Sequence, residues 1–372
     1  MARLLQALSL LSCAALALSL NIPRPLLAAR DGLVPHVSPT AVDIFPAGDG
    51  AYPRLAALAS GALLGTVTQV SGGNKILQVT RSTDGGRSFA ALGSIATAPG
   101  DLDNANLLEL SPGGAVLAAF RNHDLNAAGA PTYYRITACV SHDGGATWSF
   151  LSQVAERAAG ADNNGLWEPF LRLSKKDGSL QVYYASENSG ADQDILMQTS
   201  FDGGKTWGAP VTVAGATTTG RDGMPGCANF NDGADKLMCV FETTEGRGGL
   251  FSVKSVVSTD EGATWGQRSV VYNPGGSLNA GAPQIAATED DKLVVSFMTD
   301  EDNTAAHSWP DGASFKVVTG APVATGAWGE RTVVTGIPSF WPGLLTLGSE
   351  VIGCGGHANE GAVCHAITFT QS

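Results

Sequence analysis

The chain has 372 residues, enough for a sizeable core, and pairs only 15% charged residues with 47 glycines, a balance that points to many short strands joined by tight turns. Its net charge of -12, with no Lys/Arg cluster anywhere, excludes nucleic acid as a partner, because phosphate binding runs on clustered cations. An anionic substrate is disfavoured on the same ground unless a local basic pocket overrides the mean.

In chain order, residues 1–29 come first. Arg3 precedes an apolar run of about seventeen residues, and Pro23, Pro25 and the small pair Ala28 and Ala29 follow, which reads as a secretory signal peptide. The alternative, a membrane anchor, suffers from a run short for a hydrocarbon core of ~30 Å and from the lack of any second candidate span. The expectation is a secreted, extracellular protein with no membrane attachment, in which residues 30–372 form one domain.

Four similar stretches then recur: "STDGGRSF" at 82, "SHDGGATW" at 141, "SFDGGKTW" at 200 and "STDEGATW" at 258. Their aspartates, Asp84, Asp143, Asp202 and Asp260, are 59, 59 and 58 residues apart, and "SWPDGASF" at 308 reads as a decayed fifth copy carrying Asp311. Each is expected to be a hairpin turn in which Ser and Asp oxygens bond local backbone N–H groups and the last aromatic packs into a sheet. These aspartates are staples of the fold rather than catalysts.

A second repeat marks the same units from their other end, beginning at "YPRL", "NANLLEL", "LWEPFLRL", "GMPGCANF", "AGAPQIAA" and "FWPGLLTL", each a strand, a Gly or Asp turn and a strand. Six such hairpins, paired with the aspartate turns, make four strands per unit. The fold class is therefore all-β, a six-bladed β-propeller with aspartate-box hairpins. The last unit runs out before its fourth strand, so residues near 33 to 46 are expected to return and close it. Two stacked sandwiches fit the single even period less well.

Cys13 lies in the signal, leaving Cys139, Cys227, Cys239, Cys354 and Cys364. Cys227 with Cys239 and Cys354 with Cys364 flank turn-rich segments and are the natural disulfides of an oxidising compartment, with Cys139 a buried free thiol. No C-x-x-C pair exists, and His357 and His365 lack partners at zinc-ligand spacing.

In a propeller the first strand of each blade lines the central channel and the second runs antiparallel beside it, so strand-one starts and strand-two ends share one face. The starts supply Arg54, Asn104, Asn106, Trp167, Glu168, Met224, Gln284 and Trp341; the ends supply Arg121, Asn122, Glu187, Glu242, Asp300 and His357. Glu168 interrupts an apolar strand, and Glu242 in "CVFETTEG" is the same oddity one blade on. Two carboxylates at one mouth are the constellation for acid/base and nucleophilic work on a glycosidic bond. Each could instead be half of a buried ion pair with Arg54, Arg121 or Arg172. Trp167 and Trp341 offer flat faces for a sugar ring, although core packing is the commoner task of tryptophan.

With these residues in view the chain resembles a fungal member of glycoside hydrolase family 93, the exo-1,5-α-L-arabinanases, which share the aspartate box with sialidases. The similarity runs over nearly everything after the signal and is carried by "DLDNANL" at 101, "AAFRNHD" at 118, "LWEPFLRL" at 166, "RDGMPG" at 221, "CVFETTE" at 239 and "FWPGL" at 340. The resemblance implies an enzyme that releases arabinobiose from the non-reducing end of linear arabinan, with plant cell-wall arabinan or arabino-oligosaccharide as its partner and retention of configuration. The family's catalytic glutamates map onto Glu168 and Glu242. Retention would need their carboxyls about 5 to 5.5 Å apart. Flanking Trp167 and Pro169 favour Glu168 as acid/base and Glu242 as nucleophile, with the reverse left open by the sequence.

Other mouth residues receive roles by chemistry. Arg54 and Arg121 would hold a carboxylate ionised or bond hydroxyls, and Asn104, Asn106, Asn122 and Asp222 suit a neutral sugar. Glu187, Met224, Trp167 and Trp341 complete the expected substrate-binding set; His123 could read hydroxyls likewise, but an isolated histidine in a loop is more often a surface residue. Segments 122–133 and 186–194 are expected to wall the pocket. No metal or cofactor is required, and a monomer is expected. Two rivals stand beside this reading. A sialidase would use Arg54, Arg121 and Arg221 on a carboxylate, but "YPRL" replaces its F-R-I-P entry signal and no tyrosine falls at the nucleophile's place. A secreted, non-catalytic carbohydrate-binding propeller would use Glu168 and Glu242 only as hydrogen-bond acceptors.

Overall fold

The computed structural model describes residues 33–45, 50–160, 164–231, 235–289, 292–304, 308–321, 327–329, 331–358 and 361–371. The expected signal peptide lies outside them. Every regular element among them is a β-strand, and six small sheets form a six-bladed propeller.

Strands β1 (Leu33–Val37) and β2 (Val42–Asp43) precede the first blade, which comprises β3 (Ala51–Ala57), β4 (Leu63–Ser71), β5 (Asn74–Ser82) and β6 (Ala90–Ala98). Blade two is β7 (Asp101–Glu109), β8 (Val116–Leu125), β9 (Pro131–Ser141) and β10 (Ser149–Ala158). Blade three is β11 (Leu166–Leu173), β12 (Leu180–Ser189), β13 (Asp192–Ser200) and β14 (Val211–Ala214). Blade four is β15 (Gly223–Asn231), β16 (Asp235–Thr243), β17 (Ser252–Ser258) and β18 (Gly266–Tyr272). Blade five is β19 (Ala280–Ala287), β20 (Leu293–Thr299), β21 (Ser314–Gly320) and β22 (Thr332–Thr335). Blade six has β23 (Ser339–Leu347), β24 (Glu350–His357) and β25 (Gly361–Gln371).

The expected closure is present. β1 pairs with β25 from Leu33↔Gln371 to Val37↔Ile367, and β2 adds Val42↔Cys364. Uniting the first and last described strands in one sheet ties blade six to blade one and covers the β25 edge, which would otherwise be open to pairing. The inner strands β3, β7, β11, β15, β19 and β23 contact one another in sequence, and β23 returns to β3. Apolar layers fill the gaps between successive blades, such as Leu64, Val79, Leu107 and Phe120 between blades one and two, and Phe230, Val240, Ile285 and Phe297 between four and five. Burial of these faces is the main favourable term in the fold.

The four aspartate boxes link the third and fourth strands of blades one to four. Ser82 Oγ donates to Asp84 Oδ1 at 2.7 Å, and the same carboxylate accepts the Ser88 amide (3.0 Å) and hydroxyl (2.6 Å). The pattern repeats at Asp143, Asp202 and Asp260. The hydroxyls of Thr147 and Thr206 lead the interactions that hold Asp143 and Asp202 down to about 2. The stretch at 308 is not a fifth box. It precedes β21, joining the second and third strands of blade five, so it lies on the opposite face from the boxes. Local similarity to S-x-D-G-x-x-F misled because it ignored which strands the turn connects.

Both disulfides join neighbouring strands, Cys227–Cys239 across β15 and β16 and Cys354–Cys364 across β24 and β25. Cys139 is free and buried between blades one and two, where burial pushes its thiol up to about 11.

Candidate active site

Each blade carries the same irregularity near the start of its inner strand. Where the first two strands pair, two residues oppose one: Tyr52–Pro53, Asn104–Ala105, Glu168–Pro169, Met224–Pro225, Ala282–Pro283 and Trp341–Pro342. The first member of each pair is left-handed, with φ from 33° at Glu168 to 55° at Asn104. Such conformations cost non-glycine residues on the order of 1 kcal/mol or more each. The second member has no ladder partner, and in five of the six pairs it is proline, which has no N–H to leave unsatisfied.

These bulges turn six side chains towards the axis. Tyr52, Met224, Ala282 and Trp341 meet in one apolar cluster with Met298, Ala313, Phe340 and Trp309, and the Tyr52 and Trp341 rings stack 4.9 Å apart. Glu168 and Asn104 complete the ring. The position of Glu168 in its strand thus follows from a bulge that aims it inwards, not from a tolerated charge in a sheet.

Glu242 approaches from the end of β16, opposite Gly223. Its Oε2 accepts the Ala282 N–H at 2.7 Å. The enclosure is close: a Cβ at Gly281 would lie 2.4 Å from Glu242 Oε2 and 3.1 Å from the Trp309 ring, and one at Gly223 would lie 3.2 Å from Oε1. Glu168 accepts a hydrogen bond from the Met224 amide and has Arg121 Nη1 3.7 Å from its Oε1. Gly223 and Met224 are chain neighbours, so the two carboxylates flank one short segment of blade four.

Burial pushes both glutamates up to about 7. For Glu168 the charge of Glu242 adds to the rise, while Arg121, Arg221 and the Met224 amide oppose it. For Glu242 the Ala282 amide and Arg221 oppose it. Because the folded state holds these protons more tightly than the unfolded chain, stability is highest below pH 4.5 with respect to these groups and falls as pH rises towards and through 7. Each carries on the order of 3 kcal/mol over that window. Chemical denaturation of wild type and of the double variant E168Q/E242Q should show the variant gaining stability relative to wild type by a few kcal/mol between pH 5 and pH 8. A pH-independent difference would contradict this.

Arg121 is buried in a network in which its Nη2 donates to Asp101 Oδ1 (3.1 Å) and Asp103 Oδ2 (3.0 Å), and Lys75 binds the same two carboxylates. Trp167 packs beside Arg121, 5.2 Å from the guanidinium carbon, and edge-on to His123. His123 is buried, not on the surface; its Nε2 donates to Leu166 O at 2.7 Å, and burial lowers it to about 4, so it stays neutral.

The remaining expected residues divide. Glu187 is buried and accepts Arg221 Nη2 and the Gly165 amide, each at 2.7 Å. Asp222 is fully buried, and both its oxygens are taken by Arg268 at 2.7 and 2.9 Å, so it does not face the mouth. Asn122 donates to Thr137. Arg54 and Asn106 lie one step below the ring, where Arg54 Nη1 donates to the carbonyls of Pro53 and Trp341, and Asn106 Oδ1 accepts the Leu171 amide. Segment 186–194 is part of the β12–β13 hairpin rather than a long loop. Tyr52, Trp309 and the Ala282 amide were not anticipated. The X-Pro pair that recurs at the start of five of the six inner strands was the available signal for the ring.

Next to Trp341, a cleft of about 240 Å³ opens between blades one and six, lined by Phe340, Thr68 and His357. Thr68 Oγ1 and His357 Nδ1 are buried there without a hydrogen-bond partner.

No protein-family model matches the chain, and no curated protein matches it. Solved structures do. A Fusarium graminearum GH93 α-L-arabinofuranosidase in complex with arabinobiose is 21% identical over 91% of this chain and 98% of that one, with a TM-score of 0.67. A Penicillium chrysogenum α-L-arabinanase complexed with arabinobiose is also 21% identical, with the same coverage and a TM-score of 0.62. The NanB sialidase of Streptococcus pneumoniae is 12% identical over 87% of this chain and 68% of that one, with a TM-score of 0.55. At these identities the likeness is one of architecture: the chain has the propeller fold that family 93 glycoside hydrolases share with sialidases.

Proposed function

We propose that the protein is a secreted, retaining exo-1,5-α-L-arabinanase that takes arabinobiose from the non-reducing end of linear arabinan. The observation that carries this reading is the pair of carboxylates from adjacent blades, both pushed up to about 7, flanking Gly223 and Met224 in a ring that also holds the stacked Tyr52 and Trp341. Two acids poised near neutrality can divide one proton between them, as acid/base and nucleophile must. Glu242 is assigned as nucleophile, because the Ala282 amide supports its anion, and Glu168 as acid/base, because the neighbouring anion favours its protonated form.

The arginines disfavour a sialidase. Arg54 lies below the ring with its Nη1 on two carbonyls, Arg121 is committed to Asp101 and Asp103, and Arg221 to Glu187, so no triad faces the mouth to take a substrate carboxylate. The cleft beside Trp341, with two unpartnered polar atoms and two aromatic rings, suits the second furanose of a released disaccharide. The two disulfides accord with an oxidising, extracellular setting. Chromatography of products from debranched arabinan should show arabinobiose alone from the earliest times. A ladder of oligomers would indicate endo cleavage, and no product would favour the binding propeller.

A further inference from the structure

Beneath the ring of bulges the central channel widens into a cavity of about 360 Å³ that opens towards the aspartate-box face. Its walls are mostly the apolar ends of the inner strands, Leu55, Leu107, Phe170, Ile285 and Leu344 among them. Its polar layer has an unusual composition. The residue that follows the bulge is Arg54 in blade one, Asn106 in blade two and Gln284 in blade five, and all three line the cavity. Arg54 is 5% exposed, and no carboxylate among the described residues comes within 4 Å of it. Its Nη1 is occupied by two carbonyls, but Nη2 and Nε carry no hydrogen bond and are not sealed within protein.

Asn106 commits its oxygen to the Leu171 amide, leaving its Nδ2 free, and Gln284 Nε2 has only a 3.4 Å bond to Pro225 O. The layer therefore presents the free N–H groups of Arg54 and Asn106 and one positive charge, with the Gln284 amide, both donor and acceptor, beside them. Glu109, at the outer rim, is turned away: its oxygens accept the Ala59 and Gly113 amides at 2.7 and 3.0 Å. A buried guanidinium without a paired carboxylate is costly, and donors that line one cavity can take up negative charge there.

We propose that this layer binds a small inorganic anion, chloride, between Arg54, Asn106 and Gln284. The anion neutralises Arg54 in the channel beneath Glu168. It is the local exception to the acidic surface, and it is independent of which polymer the mouth accepts. Burial lowers Arg54 to about 10, partly countered by Tyr52, Glu168 and Asp103 above it, which accords with incomplete compensation.

Chloride-35 NMR line broadening and thermal unfolding, with gluconate balancing ionic strength, provide the test. Wild type should broaden the signal saturably, and its unfolding temperature should rise by several degrees from zero to 200 mM chloride. R54Q should lose both effects. Because R54Q also removes two bonds that hold the ring, N106D is the second variant: its carboxylate keeps an acceptor for Leu171 and supplies the missing charge. It should fold, unfold at a temperature independent of chloride, and give no saturable broadening. The proposal is overturned if wild type shows no saturable broadening, if N106D broadens the signal as wild type does, or if chloride raises the unfolding temperature of N106D as much as that of wild type.

Discussion

Glu168→Gln and Glu242→Gln should each lower kcat on arabino-oligosaccharides by at least about a thousand-fold while leaving the fold intact. The amide is isosteric. At position 242 its oxygen still accepts the Ala282 N–H, so the loss reports charge and proton transfer rather than a collapsed site. The two variants should differ in how they recover. With Glu168 gone, a substrate whose leaving group needs no proton should regain much of the first step, and azide should accelerate the second to give a retained azide product. A smaller side chain at 242 should respond to azide with an inverted product, because the anion then replaces the nucleophile itself. Interchanged behaviour would reverse the two roles. Full turnover by either glutamine variant would remove that residue from the chemistry.

The pairing of these residues was legible in the sequence because a propeller converts linear period into angular position. Once each hairpin is placed on a blade, strand starts and ends must share a face, and Glu168 and Glu242 stand out as charges among apolar neighbours. The same logic reached too far at Arg54, Asn106 and Asp222. A position one residue beyond the bulge lies below the ring, and alternation along the strand cannot reveal this, because the bulge shifts the phase of alternation. Asp222 is adjacent to the bulge strand yet is drawn into a buried bidentate pair with Arg268 from β18, a partner 46 residues away. Trp309 was hidden by its likeness to an aspartate box, and only the strand order shows that it lies beside Glu242. Long-range partners and local phase shifts were the missing information, whereas the repeat and both disulfides depended on short-range pattern, and the closure, though its strands are over 300 residues apart, followed from the count of strands per unit.

Gly281→Ala should be the most damaging change that leaves every titratable group in place. The residue faces Glu242 on one side and Trp309 on the other, and the added methyl would lie 2.4 Å from the carboxylate oxygen that accepts the Ala282 N–H. Real Cβ atoms do not tolerate that approach, so either the carboxylate swings away or β19 retreats. Gly281 is not among the residues with positive φ, so the substitution meets no backbone penalty and its effect is confined to this contact. A displacement near 1 Å at a reacting group costs about a hundred-fold in rate, and kcat should fall by at least that much, with a modest loss of stability. The acidic limb of the pH profile should also move to higher pH, because the amide bond that favours the Glu242 anion is lengthened or lost. Trp309→Ala in the same chain relieves only the 3.1 Å contact with the ring, so it should not restore activity. If Gly281→Ala keeps wild-type kcat and an unshifted profile, Glu242 does not work from the position that the Ala282 amide gives it, and the nucleophile must be sought elsewhere in the ring.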